Sequence, residues 1–181
     1  PDNVDSPVSP YAASKKSCEL MASTYNHLYN LPTAGLRFFT VYGPRGRPDM
    51  APFMFVDKIF HGQTINQFGD GTSERDYTYI GDIVSGIIGA LDHPRGCQVY
   101  NLGNGRPISL KKFIGIAADC VGREAIINIM PNQAGDVTRT CADITLARNL
   151  IGYEPKVSLE EGMKRTVDWY RDMVETMNDE Q

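Results

Sequence analysis

Tyr11 and Lys15, within Ser9-Pro-Tyr-Ala-Ala-Ser-Lys15, are the residues of this chain whose types and spacing speak most directly of chemistry. Ser9 is a favoured helix N-cap and Pro10 suits the first helical position, so a helix is predicted to start here. Residues four apart on a helix stand one above the other. That sets the Tyr11 phenol beside the Lys15 ammonium and turns Lys16 away from their face. A neighbouring cation favours the ionised form of a phenol, which can then take a hydroxyl proton near neutral pH. The same spacing also describes an ordinary helix surface, so the motifs downstream of Lys15 must decide between the two.

The helix is expected to reach Asn30 and to be ended by Pro32. An apolar strand-like run comes next, Thr33-Ala-Gly-Leu-Arg-Phe-Phe-Thr-Val-Tyr42, closed by Gly43-Pro-Arg-Gly46. Beyond it stand Phe68-Gly-Asp-Gly71, Glu74-Arg-Asp-Tyr-Thr-Tyr-Ile-Gly-Asp82, Tyr100-Asn-Leu-Gly-Asn104, Gly135-Asp136 and Ala142-Asp143. In this order and at these intervals the chain resembles the second half of an extended short-chain dehydrogenase/reductase, from about Pro7 to Tyr170. Within that superfamily it is most similar to the NAD-dependent nucleotide-sugar epimerases and dehydratases.

The first Rossmann half of that family needs a glycine-rich turn where the backbone approaches a pyrophosphate. No G-x-G-x-x-G occurs here: Gly103-Asn-Gly105 runs into Arg106-Pro-Ile108, which lacks the third glycine. The resemblance therefore implies that the cofactor cradle, and the Ser/Thr that partners the tyrosine, lie upstream of Pro1. The expectation is a C-terminal portion of a longer enzyme, inactive by itself.

The elements that must position these residues alternate. After the strand ending at Tyr42, helical spacing is expected over Ala51 to His61, a strand over Ile65 to Phe68 and another over Asp76 to Ile80. Asp82 is expected to cap the helix carrying Ile83, Ile87 and Leu91. Ser109 should cap a helix stopped by Gly122, Asp143 a short one, and Ser158-Leu-Glu-Glu161 is a capping box opening the last. Strands are also expected over Gln98 to Leu102 and Ala125 to Met130. In the first helix Tyr11, Lys15, Cys18, Ala22, Tyr25 and Tyr29 share one face, read as a stripe packed on a sheet, certainly so for Cys18 and Ala22.

Alternation with short connections makes the fold class α/β: the last Rossmann elements plus a smaller α/β substrate-binding lobe. The division expected is 1–45 for the remnant of the NAD-binding domain, 46–177 mainly for the nucleotide-sugar lobe, and 178–181 for a fraying tail.

The chain has 181 residues, 41% of them hydrophobic, enough for a core. A net charge of −4 with dispersed cations argues against a nucleic-acid or membrane-surface binder. Cys18, Cys97, Cys120 and Cys141 lack metal-site spacing and read as small apolar fillers in a reducing, cytoplasmic compartment. No metal site is expected, since His27, His61 and His93 stand apart, near helix ends.

By the resemblance, Tyr11 takes a proton from a sugar hydroxyl while NAD accepts hydride from the same carbon, and Lys15 bonds the nicotinamide ribose. Phe39 falls where relatives touch the nicotinamide. Thr40 falls where many sugar epimerases place a substrate-contacting asparagine, and Arg47 lies seven residues further on. A hydroxyl and a guanidinium converging on one point suit a carboxylate, which the planar guanidinium grips with two bonds. The segment from Phe39 to Ala51 looks most like UDP-glucuronate 4-epimerases, and Arg45 serves as the arginine expected to matter less.

Met50 would wall the substrate, Phe68 lie against the uracil, Arg75 pair with the diphosphate and Asp136 accept from ribose hydroxyls. An ion pair with Glu74 or Asp76 is the ordinary alternative for Arg75. Gln133 stands where many relatives carry an arginine, leaving Arg139 as a substitute. The partners implied are a UDP-sugar and a second copy of the chain, since the first helix builds the family's homodimer. The alternatives are a UDP-glucose or N-acetylhexosamine 4-epimerase, a nucleotide-sugar 4,6-dehydratase, or a non-catalytic UDP-sugar-binding module.

Overall fold

A single run of strand residues, Thr33 to Tyr42, serves two sheets. The computed structural model, which describes residues 5–7, 9–132 and 137–179, divides that run into β1 (Thr33–Phe38) and β2 (Thr40–Tyr42). β1 pairs in parallel with β6 (Cys97–Leu102), and β2 in parallel with β5 (Tyr77–Tyr79). The change of partner takes one residue: Phe39 N donates to Leu102 O at 3.1 Å, and Thr40 N donates to Asp76 O at 3.0 Å. Parallel pairing requires long crossovers. Between β5 and β6 this is α3 (Ile80–Asp92), packed on β1 and β5.

Two smaller pairs complete the strands: β3 (Thr64–Phe68) lies parallel to β8 (Ile126–Met130), and β4 (Glu74–Arg75) antiparallel to β7 (Ile108–Ser109). The remaining helices are α1 (Pro10–Tyr29), α2 (Ala51–Phe60), α4 (Leu110–Val121), α5 (Thr145–Ile151) and α6 (Leu159–Asp179).

Helical periodicity explains which faces are inside. Phe55, Val56 and Ile59 of α2, Phe113 and Ile114 of α4, and Met163 and Val167 of α6 meet in one core, with Tyr42 of β2 among them. Ile83 and Ala90 of α3, Ala147 and Ile151 of α5, and Tyr100 and Leu102 of β6 form a second, against which Leu36 and Phe39 pack. Both cores therefore draw on residues from either side of position 45.

The helix signals are found where spacing put them, with two exceptions. Ser9 Oγ accepts from Ala12 N at 3.1 Å, Ser109 Oγ from Lys112 N at 3.3 Å and Ser158 Oγ from Glu161 N at 3.1 Å. Gly122 ends α4 in the left-handed conformation, φ 79°, that a residue with a Cβ avoids. Asp82, however, does not cap α3, which starts two residues earlier. Its carboxylate is buried and accepts from Lys156 N and Val157 N, each at 3.1 Å, pinning the loop before α6. Asp143 sits just ahead of the N-cap of α5 and accepts from Thr145 N at 2.9 Å.

The expected stripe on α1 is also corrected. No residue of α1 is fully buried, and Tyr11, Lys15, Cys18, Tyr25 and Tyr29 are exposed. The half-buried face runs through Ala12, Lys16, Glu19, Ala22 and Asn26. An ion pair sets this rotation: Arg37 of β1 donates to Glu19 through Nε at 2.7 Å and Nη2 at 2.9 Å, while Lys16 Nζ lies 3.5 Å from the same carboxylate. Cys18 and Cys141 are exposed free thiols, not apolar filler, and Cys97 and Cys120 are half-buried.

The Arg37 hydrogen bonds, more than partial burial opposes them, hold the Glu19 carboxyl below the usual carboxylate range. A depressed folded pKa contributes stability that is present above the unfolded value of 4.5 and is lost as pH falls through the lower folded value. The Glu19 side chain is only 17% exposed. Glu19→Gln should cost about 1–2 kcal/mol at neutral pH in urea unfolding. The gap to the parent chain should close on acidification; a pH-independent gap contradicts the assignment.

Candidate active site

The crevice opens where the strand changes partner, outside the carboxyl end of β1, the position at which diverging parallel strands leave room for a ligand. Its volume is about 810 Å³. Phe39 and Thr40 come from the strand; Arg45, Arg47 and Met50 from the loop after it; Asn101 from β6; Phe53, Met163 and Thr166 from α2 and α6. The loop folds back through Gly43, φ 146°, where a Cβ would run into Ile80, and through Arg45, which is itself left-handed at φ 60°. Such a conformation costs a non-glycine residue on the order of 1 kcal/mol.

Arg47 is exposed and rests on its own loop: Nε donates to Asp49 Oδ1 at 3.0 Å and Nη2 to Asp49 Oδ2. These bonds hold the Asp49 carboxyl below the usual range. They also raise the Arg47 guanidinium, with a smaller contribution from the Tyr11 phenol. Tyr11 thus lies within electrostatic reach of the crevice mouth. On α1 the Lys15 Nζ stands 5.4 Å from the Tyr11 ring centroid, as the spacing required. Tyr11 is 72% exposed, and neither polar tip has a hydrogen-bond or ion-pair partner among the described residues.

The segments around the crevice are tied together by Asp76, expected from the sequence to begin a strand and to be a possible partner for Arg75. Asp76 is buried, and its carboxylate accepts from Asn104 N at 2.7 Å, Gly105 N at 2.9 Å and Ala142 N at 2.8 Å. Thr78 Oγ1 adds a fourth bond at 3.2 Å. The Asp76 carbonyl takes the Thr40 N–H, so one residue binds β2, the end of β6 and the 140s segment. Gly103 leaves room for this: a Cβ there would strike Ala142 and approach the carboxylate. Tyr153 Oη donates to Gly103 O at 2.9 Å, and burial, then the charge of Asp82, keeps that phenol neutral.

A family model described as GDP-mannose 4,6 dehydratase matches residues 2–166. The chain belongs to this family. It is an extended short-chain dehydrogenase/reductase of the epimerase and dehydratase type. It is 47% identical over 173 residues to a UDP-glucuronate 4-epimerase of Thermodesulfobacterium geofontis, covering 95% of this chain and 53% of that one. A UDP-glucuronic acid 4-epimerase of Bacillus cereus, solved with UDP-glucuronic acid and NAD, superposes with a TM-score of 0.85 at 35% identity, covering 92% of this chain and 54% of that one. A UDP-glucose 4-epimerase of Thermotoga maritima, solved with UDP-glucose, gives 0.87 at 33%, covering 93% and 55%. The chain spans about half the length of the curated relatives it matches.

Of the positions that the family resemblance singled out, Phe39, Thr40, Arg47 and Met50 line one cavity, and Arg45 lines it too. Phe68, partly exposed at the end of β3, and Arg75, half-buried in β4, do not line it. Arg75 Nη1 donates to the Glu74 carbonyl at 3.0 Å. The Glu74 carboxylate itself is met by Arg139 Nε at 3.0 Å, which engages the cation named as a diphosphate substitute. Asp136 and Gln133 lie outside the described residues. Asn101, Thr140 and Thr166 line the crevice without a prior signal, because they arrive from distant segments. Among the described residues no group of three His, Cys, Asp or Glu side chains is placed to hold a metal ion, and no helix is long and apolar enough to cross a membrane.

Removing the Asp76 carboxylate would strand three N–H donors, one buried at Ala142 and two half-buried at Asn104 and Gly105, each costing about 1 kcal/mol or more. Asp76→Ala should lower the unfolding free energy by at least about 3 kcal/mol, against about 0.5 kcal/mol for the exposed Glu124→Ala. Equal urea midpoints for the two variants would refute the tether.

Proposed function

We propose that this chain carries the catalytic tyrosine and the sugar-nucleotide side of an NAD-dependent UDP-glucuronate 4-epimerase. The observation that supports it most is the crevice at the strand switch, where Thr40 and Arg47 share a cavity with the Tyr11–Lys15 pair close by. The relatives named UDP-glucuronate 4-epimerase, and the Bacillus cereus enzyme solved with UDP-glucuronic acid and NAD, favour the same reading.

The residues present fit one end of NAD. The Tyr11 hydroxyl and the Lys15 ammonium have no hydrogen-bond or ion-pair partner among the described residues and stand on one helix face, leaving both free for a nicotinamide ribose, and Phe39 lines the crevice at the strand end. When bound, NAD supplies the acceptor and later the donor of hydride at the sugar C4. Tyr11 takes the C4 hydroxyl proton in the first half-reaction and returns it in the second. Lys15 holds its ammonium beside the phenol, 5.4 Å from the ring centroid. Between the halves the 4-keto sugar turns about its diphosphate linkage to present its opposite face. Met50 walls the sugar, and Phe68, Arg75 and Asp136 are assigned to the uracil, diphosphate and ribose.

A 4-keto uronate is a β-keto acid and loses carbon dioxide when the bond to its carboxylate stands perpendicular to the ketone plane. Thr40 and Arg47 hold that carboxylate out of this geometry. To do so Arg47 must share or release Asp49, which acts as its resting partner.

The test uses an epimerase of the relatives' full length containing this segment. Tyr11→Phe should lower kcat about 10²–10⁴-fold. Arg47→Ala should raise KM for UDP-glucuronate about tenfold or more, leave turnover of neutral UDP-glucose within about twofold, and increase released carbon dioxide. Unchanged glucuronate kinetics with no added decarboxylation would remove the carboxylate assignment.

We also propose a cytoplasmic homodimer. Leu20, Met21, Tyr25 and Leu28 stand exposed on α1, an apolar face that a second copy would cover. Leu28→Lys should shift the sedimentation coefficient of that enzyme from dimer to monomer; an unchanged coefficient counts against this face.

A further inference from the structure

A further cavity of about 230 Å³, with Tyr77 of β5 in its wall, is lined by three cations from three different segments. Arg106 comes from the turn after β6, Lys112 from the first turn of α4 and Lys156 from the loop that Asp82 pins before α6. None forms an ion pair among the described residues, although carboxylates outnumber cations in the whole chain, 22 to 18. Glu160 is the one carboxylate in the lining. Like charges drawn to a single concavity and left uncompensated repel one another and raise a positive potential within it.

A second, independent feature points into the same space. Tyr77 is only 6% exposed, its ring stacked on Phe113 at 4.0 Å between centroids, and burial pushes its phenol up to about 12. Its hydroxyl, in a residue that lines the cavity, has no hydrogen-bond partner among the described residues. The hydroxyl reaches solvent, and a phenol that remains protonated can donate to an acceptor entering the cavity. The Asn104 side-chain amide, also in the lining, adds a further donor whose own backbone is fixed by Asp76.

We propose that this cavity is a binding site for a tetrahedral phosphate group, either a small free anion or the phosphate of a sugar ester. The planar Arg106 fork and two ammonium groups supply the charge, and Tyr77 the neutral hydrogen bond. The volume admits a phosphate or pyrophosphate. The cavity shares no lining residue with the crevice, so the site is separate from the proposed sugar-nucleotide reaction.

Titration calorimetry on this chain with inorganic pyrophosphate, and in a second arm with glucose 1-phosphate, tests the proposal. Saturable binding is expected in at least one arm. Tighter pyrophosphate binding assigns the free anion; tighter ester binding assigns the sugar phosphate. Measured in an Arg75→Ala background, which removes the proposed diphosphate contact, the combined variant Arg106→Ala, Lys112→Ala, Lys156→Ala should weaken it at least tenfold, and Tyr77→Phe about threefold, while Arg148→Ala, an exposed cation that lines neither cavity, leaves it unchanged. The three cations are exposed, so the combined variant should keep its circular dichroism and melting midpoint. Absence of saturable binding in both arms, or binding that survives the combined variant, overturns the site.

Discussion

One buried carboxylate organises this molecule. The Asp76 side chain gathers backbone N–H groups from residues 104, 105 and 142, while its own carbonyl holds Thr40. A charged acceptor inside a protein is tolerable only when donors surround it. Here those donors come from segments far apart in the chain, so satisfying the charge and fastening the segments are the same event. The consequence is geometric. With β6 held at one side and β5 at the other, the strand between Thr33 and Tyr42 must part from one neighbour and join the next at Phe39 and Thr40. The crevice is the gap that this change of partner leaves.

Arg47 shows how a loop can be prepared without being buried. Its guanidinium is 73% exposed and held by Asp49 two residues away, a pair of little worth to stability in open solvent. The pair instead fixes a long side chain near the crevice mouth. An incoming carboxylate replaces one already in place, so little side-chain freedom is lost on binding. A neutral sugar offers nothing to exchange, and this difference is the physical basis for the uronate preference that we propose.

Much of this was legible in the sequence, and the unread part has a common cause. The Tyr11–Lys15 pair, the Ser9, Ser109 and Ser158 caps and the Gly122 stop depend on neighbours within four residues, and the spacing displays them directly. That Thr40 and Arg47 line one cavity was readable because they lie on one strand and the loop it leads into. Asp76 and Asp82 were not, because their partners are backbone groups 28 to 75 residues away, which carry no side-chain signature. The face of α1 was misplaced for a related reason. The apolar stripe through Cys18 competes with an ion pair between Glu19 and Arg37, and only the placement of β1 reveals which face the sheet takes.

The most direct test of the account is the position of a bound uronate. A crystal structure of the enzyme containing this segment, grown with UDP-glucuronate and NAD, should place the sugar carboxylate within hydrogen-bonding distance of Thr40 Oγ1 and the Arg47 guanidinium. The C4 hydroxyl should face Tyr11 Oη. A carboxylate turned toward solvent or held by other residues, or a Tyr11 side chain directed away from the sugar, would contradict it.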